Sequence, residues 1–269
     1  AYNAQTRVPQ ILTSCIVPGT FASISVFARL YSRAMIVRSW GADDTWALTS
    51  WVRLITSTLV FGMATIGLSC AEIKFGAGRH STILTANDNI QSLKVAFAYR
   101  ITYQFSLATT KLSIGAFYLR IFQDPKSMSI TYTLMGFVGL YTLALQLVVL
   151  FQCNPIAGAW SKLPAKCINL DIFFYASAVF NIVVDALLLG FVIPRLMHLK
   201  MVRKRKNALL FVVALGNVGI IAAIIRVIRI SQMSMTDDSS WKSVDVTIFS
   251  SMEVNIGLIC ATAPAVKPL

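Results

Sequence analysis

The sequence is poor in charge. Only 13% of its 269 residues are charged, whereas soluble domains usually carry about 25%. Hydrophobic residues make up 56% of the chain and the mean hydropathy is +0.68. Apolar residues in such excess must cover the outside of the protein as well as its core. The composition therefore excludes an ordinary soluble domain and indicates an integral membrane protein.

Imidazoles and metal-binding spacings are also scarce. The chain has two histidines, His80 and His198, and both fall outside the apolar runs. Its five cysteines show no CxxC or other metal-ligand spacing. A haem held by two histidines, or a three-histidine zinc site, needs more imidazoles inside the bundle. No phosphate-binding loop or hydrolase triad is visible either. We therefore expect no metal and no cofactor.

The long apolar runs predict the architecture, because a membrane-spanning helix needs about 20 mostly apolar residues. Seven runs meet this need, at about Gln10–Leu30, Trp46–Cys70, Lys94–Phe122, Ser129–Phe151, Asp171–Leu196, Leu209–Ile230 and Asp245–Ala265. No connection between them is long enough for a soluble domain. The sequence thus predicts an all-α, seven-transmembrane-helix bundle that forms a single domain over residues 1–269.

Basic residues predict the orientation. The net charge is +13, and alternate connections hold most of the loop charge. These connections contain Arg29, Arg33, Arg38, Arg120, Lys126 and the stretch Arg195–Lys206. Positive loops face the cytoplasm, so the N-terminus is expected outside and the C-terminus inside. This placement accounts for the charge without nucleic acid. The stretch Arg195–Lys206 would either serve topology alone or also meet anionic membrane lipid or a cytoplasmic partner.

The expected outer side carries cysteines. Cys153 ends the fourth span and Cys167 lies in the connection after it. Because that side can be oxidising, we expect a disulfide between these two residues. Cys70 is an alternative outer partner.

Polar residues recur inside four spans at helical spacing. Charges in a membrane usually face the bundle interior and find partners. The stripes are Arg100, Gln104 and Lys111 on the third span, Ser177, Asn181 and Asp185 on the fifth, Arg226 and Arg229 on the sixth, and Ser250 and Glu253 on the seventh. At about 1.5 Å of rise per residue, they form two layers. The outer layer would pair Glu253 with Arg226 or Arg100, and the inner layer would pair Asp185 with Lys111.

These stripes allow two interpretations. Buried pairs often do no more than satisfy each other and fix helix packing. The functional interpretation is that the stripes line a cavity open to the outer face. Its candidate ligand-binding residues are Arg100, Gln104, Lys111, Asn181, Asp185, Arg226 and Glu253.

Short motifs along nearly the whole chain resemble one family. They are Arg29-Leu30-Tyr31-Ser32-Arg33, Trp40-Gly41-Ala42-Asp43-Asp44, Gly76-Ala77-Gly78-Arg79-His80, Phe117-Tyr118-Leu119-Arg120-Ile121-Phe122 and Gln152-Cys153-Asn154-Pro155, followed by Glu253. In this order they resemble the fungal rhodopsin-domain proteins, which include pathogenicity-receptor-like proteins and members encoded in secondary-metabolite gene clusters. The resemblance implies a seven-helix membrane protein of a filamentous fungus. It leaves receptor and enzyme both open.

Signatures that the family name suggests are missing at the end of the third span and in the seventh span. A retinal opsin needs a lysine inside this span for its Schiff base, and the chain has Glu253 there instead. We therefore expect no retinal. The receptor signatures Asp-Arg-Tyr and Asn-Pro-x-x-Tyr are replaced by Tyr118-Leu119-Arg120 and Thr262-Ala263-Pro264, so the usual coupling to G proteins is not expected.

Three functions compete. The first is a receptor-like protein that binds a small lipophilic ligand. The second is an intramembrane enzyme of secondary metabolism, such as an acid-catalysed cyclase or isomerase of an isoprenoid-type substrate, with Glu253 and Asp185 as catalytic acids. Their cationic neighbours count against that role, because a nearby cation favours the ionised carboxylate. The third is a transporter, which the absence of visible internal repeats disfavours.

Overall fold

The structure is a computed structural model that describes residues 6–36, 44–80, 85–161, 165–198, 203–234 and 239–262. Seven helices account for most of these residues. They are α1 (Val8–Ile36), α2 (Asp44–Lys74), α3 (Ala86–Ile121), α4 (Pro125–Leu150), α5 (Leu170–His198), α6 (Arg203–Ser234) and α7 (Ser239–Thr262). Two short strands, β1 (Cys153–Asn154) and β2 (Lys166–Cys167), flank a 3-10 helix between α4 and α5. The predicted seven-helix, all-α architecture is confirmed.

Six of these helices are long and apolar enough to cross a membrane. The exception is α3, which has 36 residues and carries Lys94, Arg100 and Lys111 along its length. It packs against α2, α4 and α7. This position shields Gln104 and Lys111 from lipid, because the surrounding helices supply the apolar surface.

The side chains are distributed as expected for a protein in lipid. Leu140, Phe151 and Ile172 are more than 60% exposed, whereas Ser106 and Ser113 are fully buried. Lipid tails are as apolar as leucine, so small polar residues pack between the helices and large apolar ones face outward.

The helices extend past the predicted spans. α3 begins at Ala86 rather than near Lys94, and the hydroxyl of Thr85 caps it by accepting a hydrogen bond from the Asp88 N–H. The largest difference from the prediction concerns the fifth loop, which was expected at Arg195–Lys206. Arg195 belongs to α5, and residues 203–206 begin α6. Hydropathy locates only the part of a helix that lies in hydrocarbon, while the backbone hydrogen bonds continue into the headgroup region.

A disulfide joins Cys153 and Cys167. The two residues lie opposite each other where β1 pairs antiparallel with β2. The predicted disulfide is confirmed, and the alternative partner, Cys70, is a free thiol. We call this side of the bundle, where α1, α3, α5 and α7 begin, the disulfide end.

The segment before α1 closes part of the disulfide end. The Arg7 N–H donates to the Gly78 carbonyl at 3.0 Å, and Gly78 has a positive φ of 83° that favours glycine. The Arg7 guanidinium pairs with Asp245 and lies 5.6 Å from the ring centroid of Trp241. His80 stacks on the same ring at 4.2 Å. The turn after α2 and the start of α7 are thereby held together.

Candidate functional site

The close approach of α7 to α3 creates the candidate site. A Cβ added at Gly257 would lie 2.8 Å from the Thr110 methyl carbon, so glycine allows the two helices to approach this closely. One turn before Gly257, Glu253 then reaches Tyr103 of α3. The Tyr103 hydroxyl donates to Glu253 Oε2 at 2.6 Å.

Glu253 is the hub of a buried polar cluster. Its other oxygen, Oε1, accepts a hydrogen bond from the Asn181 side-chain amide of α5. Arg226 Nε of α6 lies 3.5 Å from Oε2, and the guanidinium carbon lies 5.2 Å from the centroid of the Tyr103 ring. All four residues are at most 6% exposed. We call Tyr103, Asn181, Arg226 and Glu253 the polar centre; it joins α3, α5, α6 and α7.

A second ion pair lies beside the polar centre. Lys111 Nζ donates to Asp185 Oδ1 at 2.6 Å and to the Asn181 carbonyl at 3.1 Å. The Lys111 side chain is 5% exposed and that of Asp185 is 25% exposed. Asn181 therefore serves both groups, through its side chain for Glu253 and through its backbone for Lys111.

The two remaining predicted ligand residues lie apart from Glu253. Gln104 donates to the Ser177 hydroxyl at 3.1 Å. Arg100 contacts Gln152 Oε1 at 3.4 Å and lies 5.0 Å from the centroid of the Phe174 ring. Of the two partners predicted for Glu253, the structure brings only Arg226 to it. Tyr103 is absent from the polar stripes that the sequence predicts, yet its hydroxyl is a donor to Glu253.

Three atoms of the polar centre are buried without a hydrogen-bond partner among the described residues. They are two donors, Arg226 Nε and Nη2, and one acceptor, Asn181 Oδ1. The Asn181 amide must turn its nitrogen to the Glu253 carboxylate, so its oxygen faces away. Leaving such a group unpaired costs about 1–3 kcal/mol. The polar centre therefore holds more donors and acceptors than its own residues pair.

Polar and apolar contacts together hold α5 at this level. Its extensive backbone contacts are with α6. Polar side chains connect it to α3 and α7: Gln104 to Ser177, Lys111 to Asp185, and Asn181 to Glu253. The buried residues Val184 and Leu188 of α5 also pack in one apolar cluster with Ala108 of α3.

A separate cavity of about 470 Å³ opens at the other end of the bundle. It lies where α3 ends, α4 begins and α5 reaches its last turn. Its lining residues are Ile121, Phe122, Gln123, Asp124, Lys126, Ser127, Pro194 and Arg195. We call it the inner-end cavity, where inner end means only the end of the bundle opposite the disulfide end.

A bundle with lipid-facing apolar side chains and buried ion pairs defines a multi-pass integral membrane protein. Comparison with known families agrees with this class. The chain belongs to the fungal rhodopsin domain family, whose sequence profile matches residues 28–269.

Several curated fungal proteins are similar to the chain. A SAT4 family membrane protein of Emericella nidulans is 31% identical over 71% of the chain and 50% of its own length. The polyenoic acids biosynthesis gene cluster protein Ba17b of Metarhizium anisopliae is 26% identical over 91% of the chain and 69% of its own length. Receptor GIN3 of Arthrobotrys oligospora is 23% identical over 98% of the chain and 62% of its own length. The chain therefore spans about half to two thirds of the length of these relatives.

The Lys111–Asp185 pair gives a stability prediction. Asp185→Leu removes the carboxylate and leaves the buried ammonium of Lys111 with only a carbonyl partner. We expect a loss of about 3 kcal/mol, the lower end of the range for breaking a buried pair. Lys111→Met/Asp185→Leu removes both charges and is expected to recover most of it. Thermal unfolding of the purified protein in detergent measures the difference.

Lys94→Met is the matched control, because Lys94 lies on the same helix but is exposed, and it should leave the unfolding temperature nearly unchanged. A double variant that is less stable than either single variant would contradict this account of the pair.

Proposed function

We propose that the chain is a receptor-like membrane protein that binds a small lipophilic ligand at the polar centre. The observation that carries the proposal is that the donor Arg226 Nη2 and the acceptor Asn181 Oδ1 are both buried and unpaired. Both residues contact the same Glu253 carboxylate, so one ligand group can serve both. The curated relative Receptor GIN3 supports a receptor role.

The charges of the site favour a neutral polar group on this ligand. Arg226 is balanced by Glu253, and Lys111 by Asp185, so an ionised ligand would add an uncompensated buried charge. A hydroxyl group fits both open atoms, because it can accept from Arg226 Nη2 and donate to Asn181 Oδ1. The buried residues Leu107, Val254 and Leu258 pack around Tyr103, and they provide apolar contacts for the rest of the molecule.

The geometry favours binding over acid catalysis by Glu253. Each of its oxygens already accepts a hydrogen bond, Oε1 from Asn181 and Oε2 from Tyr103. An acid catalyst must present a proton to its substrate within hydrogen-bond reach. Here both oxygens face protein donors.

The ligand proposal is tested by identifying the lipophilic compounds that remain bound to the protein through purification. Wild type, Arg226→Met and Asn181→Leu are incubated with a lipid extract of the source fungus, purified, and extracted for mass spectrometry. We expect one hydroxylated lipophilic compound on the wild type. Losing a hydrogen bond to a charged group costs about 1.5–3 kcal/mol, so Arg226→Met should retain at least ~10-fold less.

Neighbouring residues on α6 provide matched controls. Arg229 lies one turn beyond Arg226 with its side chain 42% exposed, and Asn217 donates only to the Val213 carbonyl of its own helix. Arg229→Met and Asn217→Leu should retain the compound. Identical extracts from the wild type and both site variants would refute binding at the polar centre.

For the orientation, we propose that the disulfide end faces away from the cytoplasm. Disulfides persist in oxidising compartments, and the Cys153–Cys167 bond lies at this end. The opposite end carries Lys126, Arg195 and the basic residues 203–206, as expected for a cytoplasmic surface. A cytoplasmic partner would bind there.

Labelling of sealed microsomes, whose cytoplasmic face is outward, tests this orientation. Lys126→Cys should react directly with a membrane-impermeant maleimide, because Lys126 is exposed at the start of α4. Asn89→Cys, exposed near the start of α3, should react only after detergent is added. The reverse pattern would invert the proposed topology.

A second candidate function is an intramembrane enzyme of secondary metabolism. The names of two relatives favour it: the Metarhizium anisopliae protein above belongs to a polyenoic acids biosynthesis gene cluster, and a Stachybotrys chartarum relative to a satratoxin biosynthesis cluster. Asp185 is the more accessible acid, because it is 25% exposed at its side chain and only Oδ1 is tied to Lys111.

Metabolite profiles separate the two candidates. Fungal cells that carry wild type, Glu253→Gln or Asp185→Asn at matched protein levels are compared by mass spectrometry. Under the receptor proposal, neither variant loses a product while accumulating a precursor of related mass. Such a replacement in either variant would establish the enzyme role and identify the responsible carboxylate.

A further inference from the structure

The inner-end cavity combines two cations with one carboxylate. Lys126 is exposed in the first turn of α4, and Arg195 lines the cavity from the last turn of α5. Asp124 is the only acidic residue among the lining residues. The cavity is therefore net positive, and the basic residues 203–206 follow it at the same end of the bundle.

Arg195 is held in place before any ligand arrives. Its Nε donates to the Ser127 hydroxyl at 2.8 Å, and its Nη1 donates to the Phe191 carbonyl at 3.2 Å. Its guanidinium carbon lies 3.9 Å from the centroid of the Phe191 ring. A guanidinium has five N–H donors, so these two hydrogen bonds leave donors for an anion. A preordered arginine loses less conformational entropy on binding.

The carboxylate of Asp124 is already engaged. Its Oδ2 accepts from the Ser127 N–H at 3.1 Å and from the Ser127 hydroxyl at 3.3 Å. This is the N-cap interaction of α4, which ties Asp124 to its own helix. Asp124 thus has a structural task at the cavity rim, and the two cations remain to attract an anion.

The surroundings of the cavity match a lipid. It lies where α3 ends at Ile121 and α4 begins at Pro125, which is the level of the headgroups if these helices span the hydrocarbon core. α4 and α5 make few contacts with each other, and exposed apolar side chains lie within a turn of the lining residues on these two helices. These are Ile130 at 41%, Ile193 at 41% and Met197 at 60% exposure.

We propose that the inner-end cavity binds the phosphate headgroup of an anionic phospholipid. Arg195 and Lys126 contact the phosphate, while an acyl chain lies along the groove between α4 and α5. The apolar flank selects a lipid over a free phosphate, because a soluble anion gains nothing from Ile193 or Met197. This site is distinct from the polar centre, and the proposal does not depend on the ligand proposed there.

Native mass spectrometry of the full chain in detergent tests the site with phosphatidylinositol 4-phosphate as the probe. We expect the wild type to bind it at least ~10-fold more tightly than phosphatidylcholine, and Arg195→Gln to lose most of that preference. Lys126→Gln should weaken binding several-fold. Because Lys126 is exposed, its variant keeps the test valid even where Arg195→Gln fails to fold.

Lys94→Gln and Lys166→Gln remove exposed cations at the disulfide end and should bind the probe like the wild type. Equal affinity of the wild type and Lys126→Gln, or equal binding of both lipids, would overturn the site. The soluble headgroup without acyl chains, glycerophosphoinositol 4-phosphate, should compete poorly. Competition as strong as that of the lipid itself would assign the cavity to a soluble phosphate instead.

Discussion

A carboxylate inside a membrane bundle needs partners, and Glu253 obtains them from three other helices. Tyr103, Asn181 and Arg226 each approach it from a different helix. Ionised groups are costly to bury, and breaking such a pair leaves an uncompensated charge. The positions of α3, α5 and α6 around α7 are therefore coupled to this one side chain. Helix packing in lipid lacks the hydrophobic driving force that operates in water, so polar contacts of this kind contribute specificity that apolar surfaces cannot supply.

The way α5 is held connects the two candidate sites. Asn181 bonds Glu253 through its amide and Lys111 through its carbonyl. Further along the same helix, Arg195 lines the inner-end cavity. Because Asn181 and Arg195 lie on one helix, a ligand group bound at Asn181 as proposed would act on the helix that also carries Arg195. Pro194 lies inside α5 next to Arg195, where the ring removes a backbone donor and weakens the local helix.

Sequence patterns predicted what depends on one helix at a time. Spacing of four and seven residues fixed the faces of α3 and α5, and helix rise fixed depth, so Lys111 could be matched with Asp185. To choose between Arg226 and Arg100 as the partner of Glu253, one must know how the helices are rotated relative to one another. The spacing of polar residues along one helix does not give that rotation. The same limit left Cys70 as an alternative to Cys167 until the pairing of β1 with β2 was known. The inner-end cavity lies where α3 ends, α4 begins and α5 reaches its last turn. Apolar periodicity within one helix does not predict where the ends of three helices meet.

α3 falls short of a membrane span by composition and packs against three other helices, and one physical reason connects the two facts. α3 is not apolar enough to span a membrane alone. In an isolated helix, Arg100 and Lys111 would have to face lipid. Its contacts with α2, α4 and α7 remove that requirement, since neighbouring helices replace lipid as its surroundings. Polar residues can then accumulate on α3 at little cost, provided each faces a partner. In this bundle Tyr103 and Lys111 do so at 2.6 Å each. A helix rich in polar side chains and surrounded by other helices thus lets this fold hold a buried polar cluster while its exterior remains apolar.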